Sequence, residues 1–330
     1  MQKTGFPIGT VSVEWIGATD GMRIRFYNEE GNPGTWQTVK AGCPCGKDPE
    51  SFFSMAVPER ALVLAKGASA YELRPEKGAV LLDAVAIQAE DLPADTRPKA
   101  PSPLPSPPAP RMMGSDRAHG GLRIDKFVSR AAWGADESKR LAKDGSEKSP
   151  VQFHPVQAVT VHHTVTSNHD PNPGATVRTI YTLHTVGNDW GDIGYHFLID
   201  ADGNVYEGRW SGRDNTPAHD SVGRVVTAFH TRSFNAGNIG IALLGDFTNE
   251  ELSERMRTAL VKLVAALFQR HALSPQSDIT YINPVSGQRA KASTLNGHRD
   301  WNSTECPGDR TYLQIPDLRA SVANEIKRNR

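Results

Sequence analysis

The sequence predicts a small all-β, sandwich-like domain, then a proline-rich linker, then an α/β domain with a mixed sheet flanked by helices. Three observations lead to this division. Short alternating runs such as TVSVEW and MRIRFY, broken by TDG and EEGNPG, indicate strands and turns over residues 5–91. The segment LPADTRPKAPSPLPSPPAP is too rich in proline for a helix or an interior strand. Beyond it, apolar strands alternate with helical periodicity, and we place the domains and linker at residues 1–92, 93–121 and 122–330.

Composition excludes several classes of function. The chain of 330 residues carries 37 basic and 37 acidic side chains, so its zero formal charge predicts no long-range attraction to nucleic acid. No apolar run is long enough to span a bilayer. The first residues, MQKTGFPIGTVSVEW, lack the apolar core of a signal peptide. Either a signal peptide has already been removed or export does not depend on one, and a monomer is the default oligomeric state.

The three cysteines are too few and too unevenly placed for a disulfide framework. Cys43 and Cys45 are separated by one proline, with no second pair or nearby histidine to complete a metal site. They could form half of such a site or a strained local disulfide, but a structural or incidental role is favoured. Cys306 stands alone.

Four segments define the elements of the α/β domain. AVTVHHT reads as a strand, and IGYHFLID with ADGNVYEG reads as a hairpin that turns at Asp202 and Gly203. NIGIALLGDF is typical of a strand buried on both faces. SERMRTALVKLVAALFQRH predicts an amphipathic helix with Ser253 as its N-cap. Its inward-facing residues are Met256, Leu260, Leu263, Val264, Leu267 and Phe268.

Two distant segments carry residues that suit a metal site. NGHRDWNSTECPG places His298 and Cys306 in one polar segment closed by a Pro-Gly turn, and imidazole and thiolate are both good zinc ligands. In AVTVHHT neighbouring side chains alternate between faces, so only one of two adjacent histidines can face a cleft. His162 shares its face with Thr160, so we assign it to the cleft and His163 to the supporting side.

His162, His298 and Cys306 would supply three ligands to a tetrahedral zinc ion and leave the fourth position to water. That arrangement is typical of a catalytic site, because a structural zinc site would normally have a fourth protein ligand. Spacing alone leaves a second interpretation open, in which the two histidines and the cysteine are ordinary core residues.

At this point several stretches of the second half resemble the family of peptidoglycan recognition proteins and type 2 N-acetylmuramoyl-L-alanine amidases. In the order of that family they are SRAAWGADES, VTVHHT, WGDIGYHFLIDADGNVYEGR, the FN and NIGIALLGDF block, and GHRDWNSTECPG. The resemblance covers roughly residues 124–319. It implies hydrolysis of the amide between N-acetylmuramic acid and L-alanine of the peptidoglycan stem peptide, with Zn²⁺ on His162, His298 and Cys306.

The resemblance also implies two catalytic side chains. Tyr195, in GYHF, would place its hydroxyl near the metal, and Thr304 lies two residues before the cysteine. Bacteriophage members of the family often have lysine at the position of Thr304, whereas threonine is familiar from other active members. Members that only bind peptidoglycan typically lack the cysteine ligand, so Cys306 favours the enzyme over the alternative, a non-catalytic muropeptide recognition protein.

Other polar residues have weaker assignments. FHTRSFN matches a stretch that lines the substrate groove in the family, and a helical histidine and a nearby arginine could join it. The candidate substrate contacts are His184, Arg209, His230 and Asn235. A core role is the default for His184, and His196 must point away from Tyr195 along its strand. The sequence offers Glu305 as a general base, and the alternative is that its side chain, next to a ligand, points to solvent.

The amino-terminal β domain shows no cluster of catalytic residue types. We expect it to be an accessory module that tethers the enzyme to the cell wall or to a partner. An alternative makes this domain the functional centre as an adhesion module, but it lacks an aromatic ladder or a charged cleft to support that role.

Overall fold

The computed structural model describes residues 1–16, 18, 21–39, 59–88, 122, 124–212 and 216–329. Cys43, Cys45, the whole of the predicted proline-rich linker and the predicted domain boundary near residue 92 lie outside these residues. None of the described helices combines the length and apolar composition needed to cross a membrane.

The amino-terminal part is all-β, as predicted. Its strands are β1 (Gln2–Ile16), β2 (Met22–Tyr27), β3 (Gln37–Val39), β4 (Glu59–Pro75) and β5 (Val80–Gln88). They form an antiparallel sheet in the order β3-β2-β4-β1-β5. Val11, Val13 and Trp15 alternate along β1 onto one face and are fully buried, which explains why TVSVEW forms a strand. Among the described residues all five strands share one sheet, whereas the predicted sandwich would have two.

The second part contains the predicted mixed sheet. Its strands are β6 (Phe127–Val128), β7 (Phe153–His154), β8 (Ala158–His163), β9 (Phe197–Ile199), β10 (Val205–Glu207), β11 (Val225–Val226), β12 (Asn238–Leu243), β13 (Asp278–Ile282), β14 (Arg289–Ser293) and β15 (Leu295–Gly297). Six of them form a sheet in the order β15-β8-β12-β9-β10-β6. The four strands from β15 to β9 are parallel, and β10 is antiparallel to β9. Two small antiparallel pairs, β7 with β11 and β13 with β14, lie outside this sheet.

Helices cover both faces of this sheet. They are α1 (Arg130–Trp133), α2 (Pro173–Thr182), α3 (Glu254–His271), α4 (Asp309–Leu313) and α5 (Ile315–Arg328). Val159 and Val161 of β8 belong to the core shared with α3 and α5. Leu198 and Ala242, from the opposite face, pack with α2. A π-helical turn, Leu183–Gly187, continues directly from α2.

The sequence predicted α3 and the hairpin correctly. All the inward-facing residues predicted for α3 are buried. Ser253 Oγ accepts a hydrogen bond from Met256 N at 3.1 Å, so Ser253 is the N-cap. β9 and β10 pair as a hairpin that turns through Gly203, where φ is +77°. A Cβ atom at Gly203 would also lie 2.7 Å from the carbonyl oxygen of Arg255, so glycine is needed on both counts.

We expect Ser253→Ala to lower the free energy of unfolding of the α/β domain by about 1 kcal/mol, because the first turn of α3 loses its side-chain cap. Urea denaturation followed by circular dichroism measures the change. Ser253→Thr is the matched control, since it keeps the hydroxyl. A threonine variant as unstable as the alanine variant would contradict the capping role.

Candidate metal centre

The sheet topology brings three predicted ligands together at one edge of the fold. His162 lies near the end of β8, His298 follows β15, and Cys306 lies in the loop before α4. Because β8 and β15 are parallel neighbours, their carboxyl ends meet, with Gly297 paired to Val161. The three ligand atoms lie within 4.8 Å of one another and all three residues are buried.

The strand alternation predicted for β8 is present. His162, fully buried, faces the α2 side of the sheet, and its ring centroid lies 4.6 Å from that of His298. His163 lies on the opposite face, where its Nδ1 accepts a hydrogen bond from Phe247 N at 3.2 Å. The backbone N–H of His163 nevertheless supports the site, because it donates to Cys306 Sγ at 3.4 Å.

The contact with Asn302 determines which ring nitrogen of His298 is available to a metal ion. The Asn302 amide nitrogen donates to Arg232 O at 3.3 Å, which turns its Oδ1 toward His298. His298 Nε2 lies 3.0 Å from that oxygen and therefore carries the proton that it donates. The lone pair of Nδ1 is then the one available to a metal ion, so Asn302 orients this imidazole.

The cysteine loop is held by backbone contacts. Arg299 N donates to Cys306 O at 3.1 Å, and the Arg299 guanidinium donates to Glu305 O and pairs with Asp309 at 2.8 Å. Thr304 Oγ1 accepts from Cys306 N at 3.2 Å, so the predicted threonine hydroxyl does lie beside the cysteine. Glu305 itself is exposed on this loop.

The separation of the donor atoms suits a tetrahedral zinc ion. Cys306 Sγ lies 3.6 Å from His162 Nδ1. Zinc bonds to sulfur and nitrogen at ordinary lengths and tetrahedral angles would place these atoms about 3.5 Å apart. Two imidazoles and one thiol are also the donor set of a zinc site with an open position, so the residues present fit this metal.

Burial sets the protonation of the cluster. It lowers the pKa of His298 to about 3 and the pKa of His162 well below its ordinary value. It also raises the pKa of the Cys306 thiol to about 12, against a smaller opposite effect of the His163 N–H. Near neutral pH the imidazoles are therefore neutral, which is the ligating form, and the thiol keeps its proton until a cation replaces it.

Tyr195 and His184 flank the cluster. The Tyr195 ring centroid lies 5.3 Å from that of His162 and 5.7 Å from that of His184. Burial raises the pKa of Tyr195, so its phenol stays protonated and remains a hydrogen-bond donor. Gly194 N donates to His184 Nδ1 at 2.9 Å, which leaves the proton of that neutral ring on Nε2.

Comparison with known proteins identifies the family. A family model described as N-acetylmuramoyl-L-alanine amidase matches residues 152–309, which include all three ligands. Peptidoglycan-recognition protein SC2 of Drosophila simulans is 30% identical over 193 residues, 57% of this chain and 84% of that protein. The chain belongs to the peptidoglycan-recognition protein and N-acetylmuramoyl-L-alanine amidase family.

Two further likenesses concern one member of this family. Peptidoglycan-recognition protein LB of Drosophila melanogaster is 30% identical over 200 residues, 59% of this chain and 69% of that protein. The solved structure of wild-type Drosophila PGRP-LB is 28% identical and aligns with 57% of this chain and 91% of that chain, with a TM-score of 0.41.

In the present chain, Arg209 is a buried residue whose contacts are structural. It is 1% exposed, and its guanidinium pairs with the buried Asp192 at 3.0 Å and donates to Ser149 O at 2.8 Å. Arg130 pairs with the second oxygen of the same carboxylate at 3.0 Å. The structure therefore places Arg209 in a buried ion-pair network, away from the substrate contact expected from the sequence.

His230 and Asn235, also expected in the substrate groove, are fully buried. Asn235 Oδ1 accepts from the backbone N–H groups of His230 and Thr231, at 2.7 and 2.8 Å, and so closes their loop. His230 Nδ1 lies 3.0 Å from His162 Nε2, so it contacts a candidate ligand. His196 is also fully buried, with Nε2 at 2.6 Å from Val226 O, so its ring packs against the backbone.

Sequence reasoning missed Asn302 and the contact between His230 and His162. Asn302 lies four positions after His298, just beyond a 3₁₀ turn, and a short amide at that distance can reach back to an imidazole. That spacing was a signal that could have been used. The contact of His230 depends on how β12 pairs with β8, and no local pattern carries that information.

We expect Zn²⁺ binding at pH 6 to release about one proton, because the thiol is protonated and the buried imidazoles are already neutral. Titration calorimetry in buffers of different ionisation enthalpy measures the number released. Imidazoles with ordinary pKa values would be mostly charged at this pH and would raise the count toward three. Such a count, or none at all, would contradict the protonation states described here.

Proposed function

We propose that this chain is a zinc-dependent N-acetylmuramoyl-L-alanine amidase. It would hydrolyse the amide between the lactyl group of N-acetylmuramic acid and the first alanine of the peptidoglycan stem peptide. The observation that carries the proposal is the buried convergence of His162, His298 and Cys306, with ligand atoms within 4.8 Å, in a chain of the amidase family.

The protein would hold zinc through His162 Nδ1, His298 Nδ1 and Cys306 Sγ. When bound, the ion would supply Lewis-acid chemistry, polarising the scissile carbonyl and making water a better nucleophile near neutral pH. The groups that hydrogen-bond to the ligand side chains at these positions are uncharged: the Asn302 amide, the His230 ring and the His163 N–H. The single negative charge of the thiolate would therefore leave the centre with a net positive charge, which suits a Lewis acid better than a structural site.

Tyr195 and Thr304 would act on the oxygen atoms of the substrate that gain negative charge. The Tyr195 phenol is buried beside His162 and keeps its proton, so it can donate a hydrogen bond as charge develops. Thr304 accepts from Cys306 N through its oxygen, which leaves the hydroxyl proton to be donated elsewhere. Held by these contacts, both donors would need little reorganisation when the tetrahedral intermediate forms.

His184 would contribute to substrate binding. Its Nδ1 accepts a hydrogen bond from Gly194 N, so the single ring proton of the neutral imidazole lies on Nε2. The ring packs against that of Trp190 in a tilted arrangement, with centroids 4.4 Å apart, so its orientation is constrained. A fixed imidazole donor next to Tyr195 suits the amide and sugar oxygens of a muropeptide.

A second candidate is a protein that binds muropeptides without cleaving them. The specific observation in its favour is that the relatives of about 30% identity carry the name peptidoglycan-recognition protein. The complete set of three ligands favours the enzyme, because binding alone does not require a buried thiol beside two neutral imidazoles.

Zinc content and cleavage of a purified muropeptide, measured with and without a chelator, test the proposal. Cys306→Ala should lose zinc and activity together, because one ligand is removed. Tyr195→Phe should keep zinc while turnover falls about 100- to 1,000-fold, the usual cost of losing one transition-state donor. Mass spectrometry of the released stem peptide measures the turnover.

Tyr206→Phe is a matched control, since this buried tyrosine donates to Asp200 within the β9–β10 hairpin. It should leave turnover nearly unchanged. Zinc binding without cleavage in the wild-type protein would favour the recognition protein. A Tyr195→Phe variant with the wild-type rate would reject the role given to Tyr195.

We further propose that the protein acts outside the cell or at the cell wall and that residues 1–92 tether it there. A chain beginning at Gly121 should then cleave a muropeptide in solution at the wild-type rate and bind isolated cell walls more weakly. Pelleting with purified walls measures the second effect. A folded truncated chain without activity would show that the two parts form one catalytic unit.

A further inference from the structure

We propose that His230 is a positioning residue of the metal centre. By accepting the Nε2 proton of His162, it would hold that imidazole in the tautomer whose Nδ1 lone pair faces Cys306. The inference rests on the proposed zinc site and adds a residue that determines the orientation and protonation of one ligand.

The direction of each hydrogen bond follows from a backbone carbonyl, which can only accept. His230 Nε2 lies 2.9 Å from Asn238 O, so this nitrogen must carry the proton of the neutral ring. His230 Nδ1 is then an acceptor, and its partner 3.0 Å away, His162 Nε2, must donate. A neutral His162 therefore has its lone pair on Nδ1, the nitrogen that lies 3.6 Å from Cys306 Sγ.

The fold gives His230 no room to move. A Cβ atom on Gly240 of β12 would lie 2.5 Å from His230 Cγ, so the ring occupies the space that a side chain at this position would need. The His230 backbone N–H is fixed by Asn235 Oδ1 at 2.7 Å. A histidine that is fully buried against a glycine cannot reach a substrate, but it can fix the ring of a neighbouring ligand.

His196 provides a comparison within the same region. It is also fully buried, and its ring centroid lies 5.4 Å from that of His230. Its Nδ1 accepts from Gly240 N at 2.8 Å and its Nε2 donates to Val226 O at 2.6 Å. Both nitrogens therefore bond to the backbone, so a change at His196 perturbs the core without removing the partner of His162.

The test uses the full chain with the variants His230→Leu and His230→Gln, and with His196→Gln as the matched control. Nitrogen NMR of the zinc-free protein, labelled at histidine, reports the tautomer of His162. Competition with a chromophoric chelator reports zinc affinity. His162→Gln assigns the His162 resonances, and circular dichroism establishes that each variant is folded.

We expect His230→Leu to lose the Nε2-protonated tautomer of His162 and to bind zinc about 10- to 100-fold more weakly, the usual cost of losing such a partner. His230→Gln should restore most of the Nε2-protonated tautomer of His162 and most of the zinc affinity, because its amide offers an acceptor to His162 and a donor to Asn238 O. His196→Gln should keep the wild-type tautomer and affinity.

A folded His230→Leu protein with an unchanged tautomer and unchanged zinc affinity would overturn the inference. If the leucine variant does not fold, Gly240→Ala tests the same contact, since it keeps the imidazole but adds a Cβ 2.5 Å from His230 Cγ, which the ring must move to accommodate. The NMR measurement needs no metal, so it decides the role of His230 even if the wild-type chain takes up no zinc. Absence of zinc uptake would instead reject the proposed amidase.

Discussion

The parallel pairing of β8 with β15 is the constraint on which the candidate metal centre depends. It places Leu295 opposite Val159 and Gly297 opposite Val161, so the residue after β15 reaches the level of His162. Two ligands separated by more than a hundred positions thereby become neighbours without any long side chain bridging them. Gly297 also permits close packing of the last helices, because a Cβ there would lie 2.9 Å from the Tyr312 ring.

A buried polar cluster holds this register. Thr160 Oγ1 lies 2.9 Å from Asn238 Oδ1 and 2.8 Å from Asn296 Oδ1, and Trp301 Nε1 donates to the threonine and to Asn296, both at 2.8 Å. The cluster joins β8, β12 and β15 beneath the ligands. A shift of one residue in any of these strands would leave several of these buried groups without partners, which is costly in a low-dielectric interior.

The strands, α3 and the face on which His162 lies could be predicted because they follow from local periodicity. Alternation along β8 assigned His162 to the site face, and the 3.6-residue period with its cap gave α3. The environments of Arg209 and His230 could not be read in this way. The environment of each side chain depends on a partner from a distant segment or on a loop that folds back. Charge or residue type alone does not reveal which partner the side chain contacts.

The short loop from His230 to Asn235 supports both imidazoles of the centre. Through His230 it reaches His162, and through the carbonyl of Arg232 it orients Asn302 and hence His298. Asn235 closes the loop from within. The two ligands are therefore mechanically coupled, and a distortion of this one segment would misalign them together. For protein engineering, this loop is a single unit that must be grafted whole. Transplanting only His162, His298 and Cys306 would leave the two imidazole rings unaligned.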